Sequence, residues 1–384
     1  MIGKPELTTS DVINFLEHSG LPLQDWGKAK DGTPMLSVRI GGIKQPAVFI
    51  TAGAHSNETA GVHAALNLMH KLKTDHEVHI LPLRDPMGFA GVRHCLQTAL
   101  KHPVQVSSHA EVLDFLRAEA LLLWQEHDFC LYLLGDVGFV WTPRQPGLRS
   151  YWLMTNHMEE LIQSQPDTIS QLAGKSVMMI DPDSDVEGSG TMQRCWHALI
   201  SKDCAWRHLN RMFGEQNIPP EVAAVDSLMQ NVKPGLTCDL HEGNGSGFWL
   251  PIPKPPENSE LSFWMAKAFF EVISQRGYPI TDYVDWLATD QTPLTARDPT
   301  WMFPEERLPG LFWVDTLRRG EGHNLMTYGA LFGVGFGTEG PMSRPLAMRI
   351  DGITNGILAA IRVWEQAQEN EKIDEKGMHE NYSH

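Results

Sequence analysis

An α/β protein with a mixed central sheet flanked by helices is the fold class that the sequence predicts, and three apolar runs carry the prediction. They are Val48-Phe49-Ile50-Thr51-Ala52-Gly53-Ala54, Gly235-Leu236-Thr237-Cys238-Asp239-Leu240 and Leu331-Phe332-Gly333-Val334-Gly335-Phe336-Gly337-Thr338. Runs this short and this apolar suit strands buried within a sheet. The first leads into a helical pattern, Thr59-Ala60-Gly61-Val62-His63-Ala64-Ala65-Leu66, so strand and helix alternate. With 384 residues, 42% of them hydrophobic, the chain can fill one large α/β core. One domain is expected over residues 1–366, followed by a charged, frayed tail over 367–384.

The elements follow in chain order. Residues 8 to 19 read as a short helix capped by Thr9 or Ser10. Met35 to Ile40 and Ala47 to Thr51 read as a first pair of strands, and Glu77 to Leu83 continues the sheet. The middle turns largely helical, as in Ser108 to Glu126, where leucines and alanines recur at helical spacing. This segment is expected to pack over one edge of the core and to shape the mouth of a cleft. Residues 251 to 256, Pro-Ile-Pro-Lys-Pro-Pro, read as a stiff linker before a helix near Glu260 to Gln275. No internal repeat is present.

Polar residues stand where the three apolar runs end. His55, Ser56, Asn57 and Glu58 follow the first, and an imidazole and a carboxylate three residues apart can close on one metal ion. His241 follows the second run, ahead of a glycine-rich loop. Glu339 follows the third, just before Gly340-Pro341. In open α/β sheets ligands bind at the carboxyl ends of strands. Two imidazoles and a carboxylate match a catalytic zinc site that keeps an open position for water, and a free carboxylate beside that water can take its proton. His55, Glu58 and His241 are therefore the candidate ligands of one zinc ion, and Glu339 is the candidate base. Each also has an ordinary reading, as a surface pair on a first helical turn or a turn residue.

With these residues in order, the chain resembles the zinc carboxypeptidase superfamily, the M14-type metallopeptidases and their deacylase relatives. The family's order is His-x-x-Glu after a strand, an Asn-Pro-Asp-Gly turn, an Asn-Arg pair, a His after a strand and a C-terminal Glu. Here the turn is Arg84-Asp85-Pro86-Met87-Gly88-Phe89, and the pair lies in Leu209-Asn210-Arg211-Met212-Phe213. Pro219-Pro220-Glu221-Val222-Ala223-Ala224-Val225 is similar to the family's Pro-Glu-rich helix start. The match covers roughly residues 35 to 95 and 205 to 345. It implies a zinc-carboxypeptidase-like, phosphorylase/hydrolase-like fold, with Asn210 and Arg211 binding a substrate carboxylate and an arginine stabilising an oxyanion.

Two departures stand out. Family members carry Asp two residues before the Asn-Arg pair, orienting the first zinc histidine, whereas this chain has His208, so Asp203 or Asp239 substitutes or the site is tuned differently. An insertion, roughly 96 to 204, also separates the turn from the pair. Spacing therefore leaves Arg194, Arg207 and Arg93 as oxyanion candidates, and Arg194 is favoured. The activity implied is hydrolysis of an amide near a free carboxylate, on a small peptide or, alternatively, on an N-acyl amino acid as in succinylglutamate desuccinylase and aspartoacylase. A non-catalytic module that keeps the fold would have lost a ligand or the base, and a serine hydrolase would carry Gly-x-Ser-x-Gly; neither mark is present.

Composition narrows the setting. A net charge of -16 argues against nucleic acid or anionic membrane as partner. Met1-Ile2-Gly3-Lys4-Pro5-Glu6-Leu7 has no signal-peptide core and no run reaches membrane-spanning length, so a cytoplasmic protein without a secretory pro-segment is expected. Five cysteines at irregular spacing suit reduced thiols. Asp181-Pro182-Asp183-Ser184-Asp185-Val186-Glu187-Gly188 imitates a calcium loop, but Val186 stands at the required glycine and Met192 at the bidentate position, so an acidic turn is the reading. The 12 tryptophans are scattered and read as core residues. Oligomeric state is left open.

Overall fold

Apolar strands pair where both faces can be covered, and this rule organises the computed structural model of the chain, which describes residues 7–142, 150–180, 192–243, 245–254, 259–282, 302–314 and 322–381. Helix α1 (Thr9–His18) is capped by Thr8, one residue earlier than expected. The Thr8 hydroxyl accepts from the Asp11 N–H while the Asp11 carboxylate accepts from the Thr8 N–H. Then come β1 (Leu23–Lys28), β2 (Pro34–Gly41), β3 (Lys44–Ala52), α2 (Thr59–Lys71) and β4 (His76–Leu81). Three helices follow: α3 (Pro86–Phe89), α4 (Val92–Leu100) and α5 (His109–Glu119). The next stretch holds β5 (Leu121–Glu126), β6 (Phe129–Leu134), β7 (Val137–Trp141), α6 (Ser150–Ser164), α7 (Pro166–Ser170), β8 (Lys175–Ile180), β9 (Trp196–Ile200) and β10 (Trp206–His208). A single 3-10 turn, Leu209–Arg211, leads to α8 (Pro220–Val232), β11 (Leu236–Gly243), β12 (Leu250–Pro253) and α9 (Ser259–Gln275). The chain closes with β13 (Met302–Pro304), β14 (Leu311–Val314), α10 (Leu325–Gly329), β15 (Val334–Pro341) and α11 (Leu346–Asn381).

The central sheet has the order β1-β2-β4-β3-β11-β15. Its inner strands β4, β3, β11 and β15 are parallel, and β1 and β2 add antiparallel pairs, so the sheet is mixed as expected. Successive residues face opposite layers. Val48 and Ile50 pack with α1, α2, α9 and α11, while Phe49 packs with α8 and α10. A buried ion pair crosses the first layer: Arg349 of α11 donates to the Glu242 carboxylate, whose other oxygen accepts from the Ala60 N–H at 2.6 Å, near the start of α2. Fixing the start of α2 also fixes the loop just before it.

Several expectations change. β2 and β3 are not a pair, because β4 lies between them. The insertion is not helical alone: beside its helices, its strands form most of a second six-stranded sheet, β10-β9-β8-β7-β6-β5. The helix read over 108 to 126 stops at Glu119, where Leu121–Glu126 pairs antiparallel with Phe129–Leu134. A short leucine run satisfies both periodicities, and only a partner strand decides between them. The proline-rich linker likewise contains a strand, since β12 pairs with β14 in a small third sheet. Helix α11 continues through most of the segment expected to fray. The acidic turn 181–188 lies outside the described residues. All five cysteines are free thiols, and among the described residues no helix is long and apolar enough to cross a membrane.

Candidate metal centre

β3 ends at Ala52, and Gly53 then turns the chain with φ at +66°, where a β-carbon would also lie 2.9 Å from the Leu83 side chain. The Glu58 N–H donates to the His55 carbonyl at 3.2 Å, closing a turn that brings the two side chains to one side before α2 begins. The Ser56 hydroxyl ties this turn to the second sheet by donating to the Cys195 carbonyl at 2.7 Å. One Glu58 oxygen meets His55 Nδ1 and the other meets His241 Nδ1 at 2.7 Å. The three donor atoms lie within 4.8 Å of one another, with Glu58 and His241 buried and His55 half-buried.

His241 arrives from the neighbouring strand. β11 pairs in parallel with β3 on one side and β15 on the other, and the register sets His241 opposite Glu339. Residues in register on parallel strands point to the same face, so the Glu339 side chain emerges beside a metal donor. Gly243, two residues on from His241, leaves room for it: a β-carbon there would lie 3.0 Å from Glu339 Oε2 and 3.2 Å from Trp249 Nε1. Backbone bonds of 3.1 and 2.9 Å to Trp249 hold Glu339 from its other side.

The charges gathered here suit a cation. Burial would raise the Glu58 pKa, but His55 and His241 outweigh it and hold the carboxyl at about 2. Burial would lower His241, yet Asp239 and Glu58 outweigh it and push the imidazole up to about 10. Two buried carboxylates thus bind a proton on His241 that a metal ion could replace. Asp239 Oδ2 lies 2.8 Å from His241 Nε2, which leaves Nδ1 facing Glu58 and His55. Two imidazole Nδ1 atoms and a carboxylate, one imidazole oriented by a second carboxylate, fit zinc in donor type and in outer support.

Around the donors stand Asn210, Arg211, His208, Trp196 and Arg84. Asn210 Oδ1 accepts from Arg84 Nη1 at 3.0 Å and from the Leu325 N–H at 3.2 Å, so its amide nitrogen turns to His241, 3.3 Å from Nε2. Arg211 donates to the Asn210 carbonyl at 2.8 Å, and its charge adds to burial in lowering the pKa of His208. The His208 ring centroid is 4.7 Å from that of His55, and its Nδ1 accepts from the Asn210 N–H at 3.1 Å, leaving the proton of the neutral ring on Nε2. Of the two proposed substitutes for the family's Asp, Asp203 is bonded to Ser201 in a turn and Asp239 serves His241. His208 itself is what faces the first histidine.

Arg194 is a correction. Its guanidinium donates to the carbonyls of Phe89 and Gln193 at 2.8 Å and of Leu7 at 2.6 Å, and it lies 3.7 Å over the Phe89 ring. It is a buried clamp behind α3 and not an oxyanion donor, because chain order said nothing of where the second sheet would direct it. Arg207 pairs with Glu215 at 3.9 Å, and Arg93 is exposed. Among the described residues, the arginines beside the donors are Arg211 and Arg84. Arg84 follows β4 and so stands at a fourth strand end, the one signal in the sequence that marks it as a site residue.

What the geometry defines is an α/β protein with a three-donor site suited to zinc. The profile of the zinc carboxypeptidase family (Peptidase M14) matches residues 17–86, the segment holding β1 to β4, His55 and Glu58, and the chain resembles that superfamily. No curated protein sequence matches. Solved structures that are similar include carboxypeptidase A from Helicoverpa armigera, at 12% identity over 94% of this chain and 71% of that one, with a TM-score of 0.43. A metallo-carboxypeptidase from Burkholderia cenocepacia is 12% identical over 93% and 68%, with a TM-score of 0.44. One from Pseudomonas aeruginosa, in complex with (2-guanidinoethylmercapto)succinic acid, is 10% identical over 93% and 68%, with a TM-score of 0.45.

Proposed function

We propose that the chain is a zinc-dependent hydrolase, metallocarboxypeptidase-like, that cleaves an amide bond near a free carboxylate. The observation that carries this reading is the meeting of His55, Glu58 and His241 within 4.8 Å, with Glu339 in register beside His241. When bound by these donors, one zinc ion would polarise the substrate carbonyl and acidify water. Glu339 takes the proton of the attacking water and delivers it to the leaving nitrogen, a role open to a half-buried carboxylate fixed by backbone bonds on both sides. Arg211 and the Asn210 amide bind the substrate carboxylate, because a guanidinium fork matches two carboxylate oxygens and sets the amide in place. Burial of Glu58, Asn210 and His241 limits water to the reacting face.

The test is metal analysis of the purified chain together with a substrate screen. About one equivalent of zinc and hydrolysis of peptides with free C-termini are expected, with carboxyl-amidated peptides much poorer. Turnover of N-acyl amino acids with no peptide cleavage would assign the chain to the deacylase reaction instead. A metal-free protein inactive on both classes after zinc addition would reject the hydrolase reading.

A further inference from the structure

We propose that Arg84 is a positioning residue that holds the metal-binding imidazole of His241 and the amide of Asn210 in their working orientations, an inference that rests on the zinc reading above. Arg84 is 5% exposed and lies in the loop after β4. Its own N–H donates to the Ala52 carbonyl at 3.1 Å, and the next residue's N–H donates to the Gly53 carbonyl at 2.9 Å. The root of the side chain is thus pinned to the end of β3, from which the His55 turn departs.

The guanidinium reaches across to the other ligand strand. Nη2 lies 2.7 and 2.9 Å from the two Asp239 oxygens, and Nη1 donates to Asn210 Oδ1 at 3.0 Å. Asp239 in turn receives His241 Nε2 at 2.8 Å. One buried fork therefore sets the angle of the carboxylate that orients His241. It also sets the way Asn210 presents its amide nitrogen. A single ammonium could keep the charge but not this geometry, since a planar fork engages several acceptors at fixed angles. The alternative is a core ion pair with no bearing on the metal, and it predicts different results.

The experiment measures zinc affinity of the full chain by competition with a chelator of known affinity, for wild type, Arg84→Lys, Arg84→Met, Asp239→Asn and the double variant R84M/D239N. Loss of an outer partner of a metal ligand typically costs roughly 10- to 100-fold in affinity. Arg84→Lys should weaken zinc binding about tenfold and Arg84→Met toward the upper end of that range. Because Arg84 acts through Asp239, the double variant should bind zinc about as well as Asp239→Asn alone. Affinities within twofold of wild type in both Arg84 variants, or losses that multiply in the double variant, would overturn the proposal. Should Arg84→Met fail to fold, Arg84→Lys decides alone, since an ion pair of purely structural value would leave its zinc affinity unchanged. A wild-type protein that binds no zinc rejects the zinc reading itself and this role with it, whereas zinc-binding wild type with unaffected variants rejects only the role of Arg84.

Discussion

The two six-stranded sheets differ in what they deliver. In the central sheet four adjacent parallel strands end together, and residues at or just beyond those ends include His55 and Glu58 after β3, Arg84 after β4, His241 in β11 and Glu339 in β15. The second sheet is antiparallel except for β7 with β8, so its strand ends alternate in direction and, among the described residues, gather no such group. It contributes instead from one edge: Trp196 in β9 against His55, His208 at the end of β10, then Asn210 and Arg211 in the turn that follows. Parallel strands converge chemistry because they all point one way; the antiparallel sheet supplies a wall and a support. The seam is tight. Ser56 bonds Cys195, His197 bonds Asp85 at 2.9 Å, and Arg194 clamps α3.

If the central sheet holds the chemistry, the largest effects come from its strand ends. His241→Ala should abolish zinc binding and activity while the chain stays folded, as measured by metal content and circular dichroism, because the site is added to an already large core. Full zinc in that variant would remove His241 from the ligand set. Glu339→Gln should keep zinc and substrate affinity but lower kcat by roughly two or more orders of magnitude, as loss of a general base does. Loss of metal in this variant would recast Glu339 as a ligand, and an active variant would move the base elsewhere.

The contribution from the second sheet's edge should be one of binding. Arg211→Ala should weaken carboxylate-bearing substrates by roughly 2 to 3 kcal/mol in kcat/KM and amidated analogues far less. Equal losses on both would show that Arg211 does something other than read the carboxylate.

The smallest effect concerns the seam, and it appears in stability alone. Burial would lower the pKa of His197, but the adjoining Asp85 carboxylate outweighs it and raises the imidazole above its ordinary value. A pKa raised on folding contributes stability that is fully present below the unfolded value near 6.5 and is lost as pH rises through the folded value. Wild type should therefore exceed His197→Asn by roughly 1 to 3 kcal/mol in urea denaturation at acidic pH, and the gap should narrow as pH rises. A gap that widened toward alkaline pH would contradict the seam described here.

His55 and Glu58 are legible in the sequence because their geometry is local: a strand, a glycine turn and a three-residue spacing set them side by side. His241 and Glu339 are legible as strand ends, and only the β11–β15 register makes them neighbours. The helical reading of the insertion failed at Leu121 to Trp124, where a partner strand decided what periodicity could not. Spacing leaves three arginines open and Arg194, the one favoured among them, is bonded to the Phe89 carbonyl, while Arg84, 155 residues from Asp239, is the partner of that carboxylate.

By itself the sequence marked the candidate ligands and a candidate base, and it determined the alternation of strands and helices around them and the excess of negative charge. The tertiary structure alone decided that β4 lies between β2 and β3, that the insertion supplies most of a second sheet, that Asp239 and not Asp203 meets His241, and that Arg84 reaches the candidate donors. The physical reason is range: spacing and periodicity report neighbours within a turn or a strand, whereas strand order, buried ion pairs and the fate of a long side chain depend on residues a hundred or more positions away that meet only when the core closes.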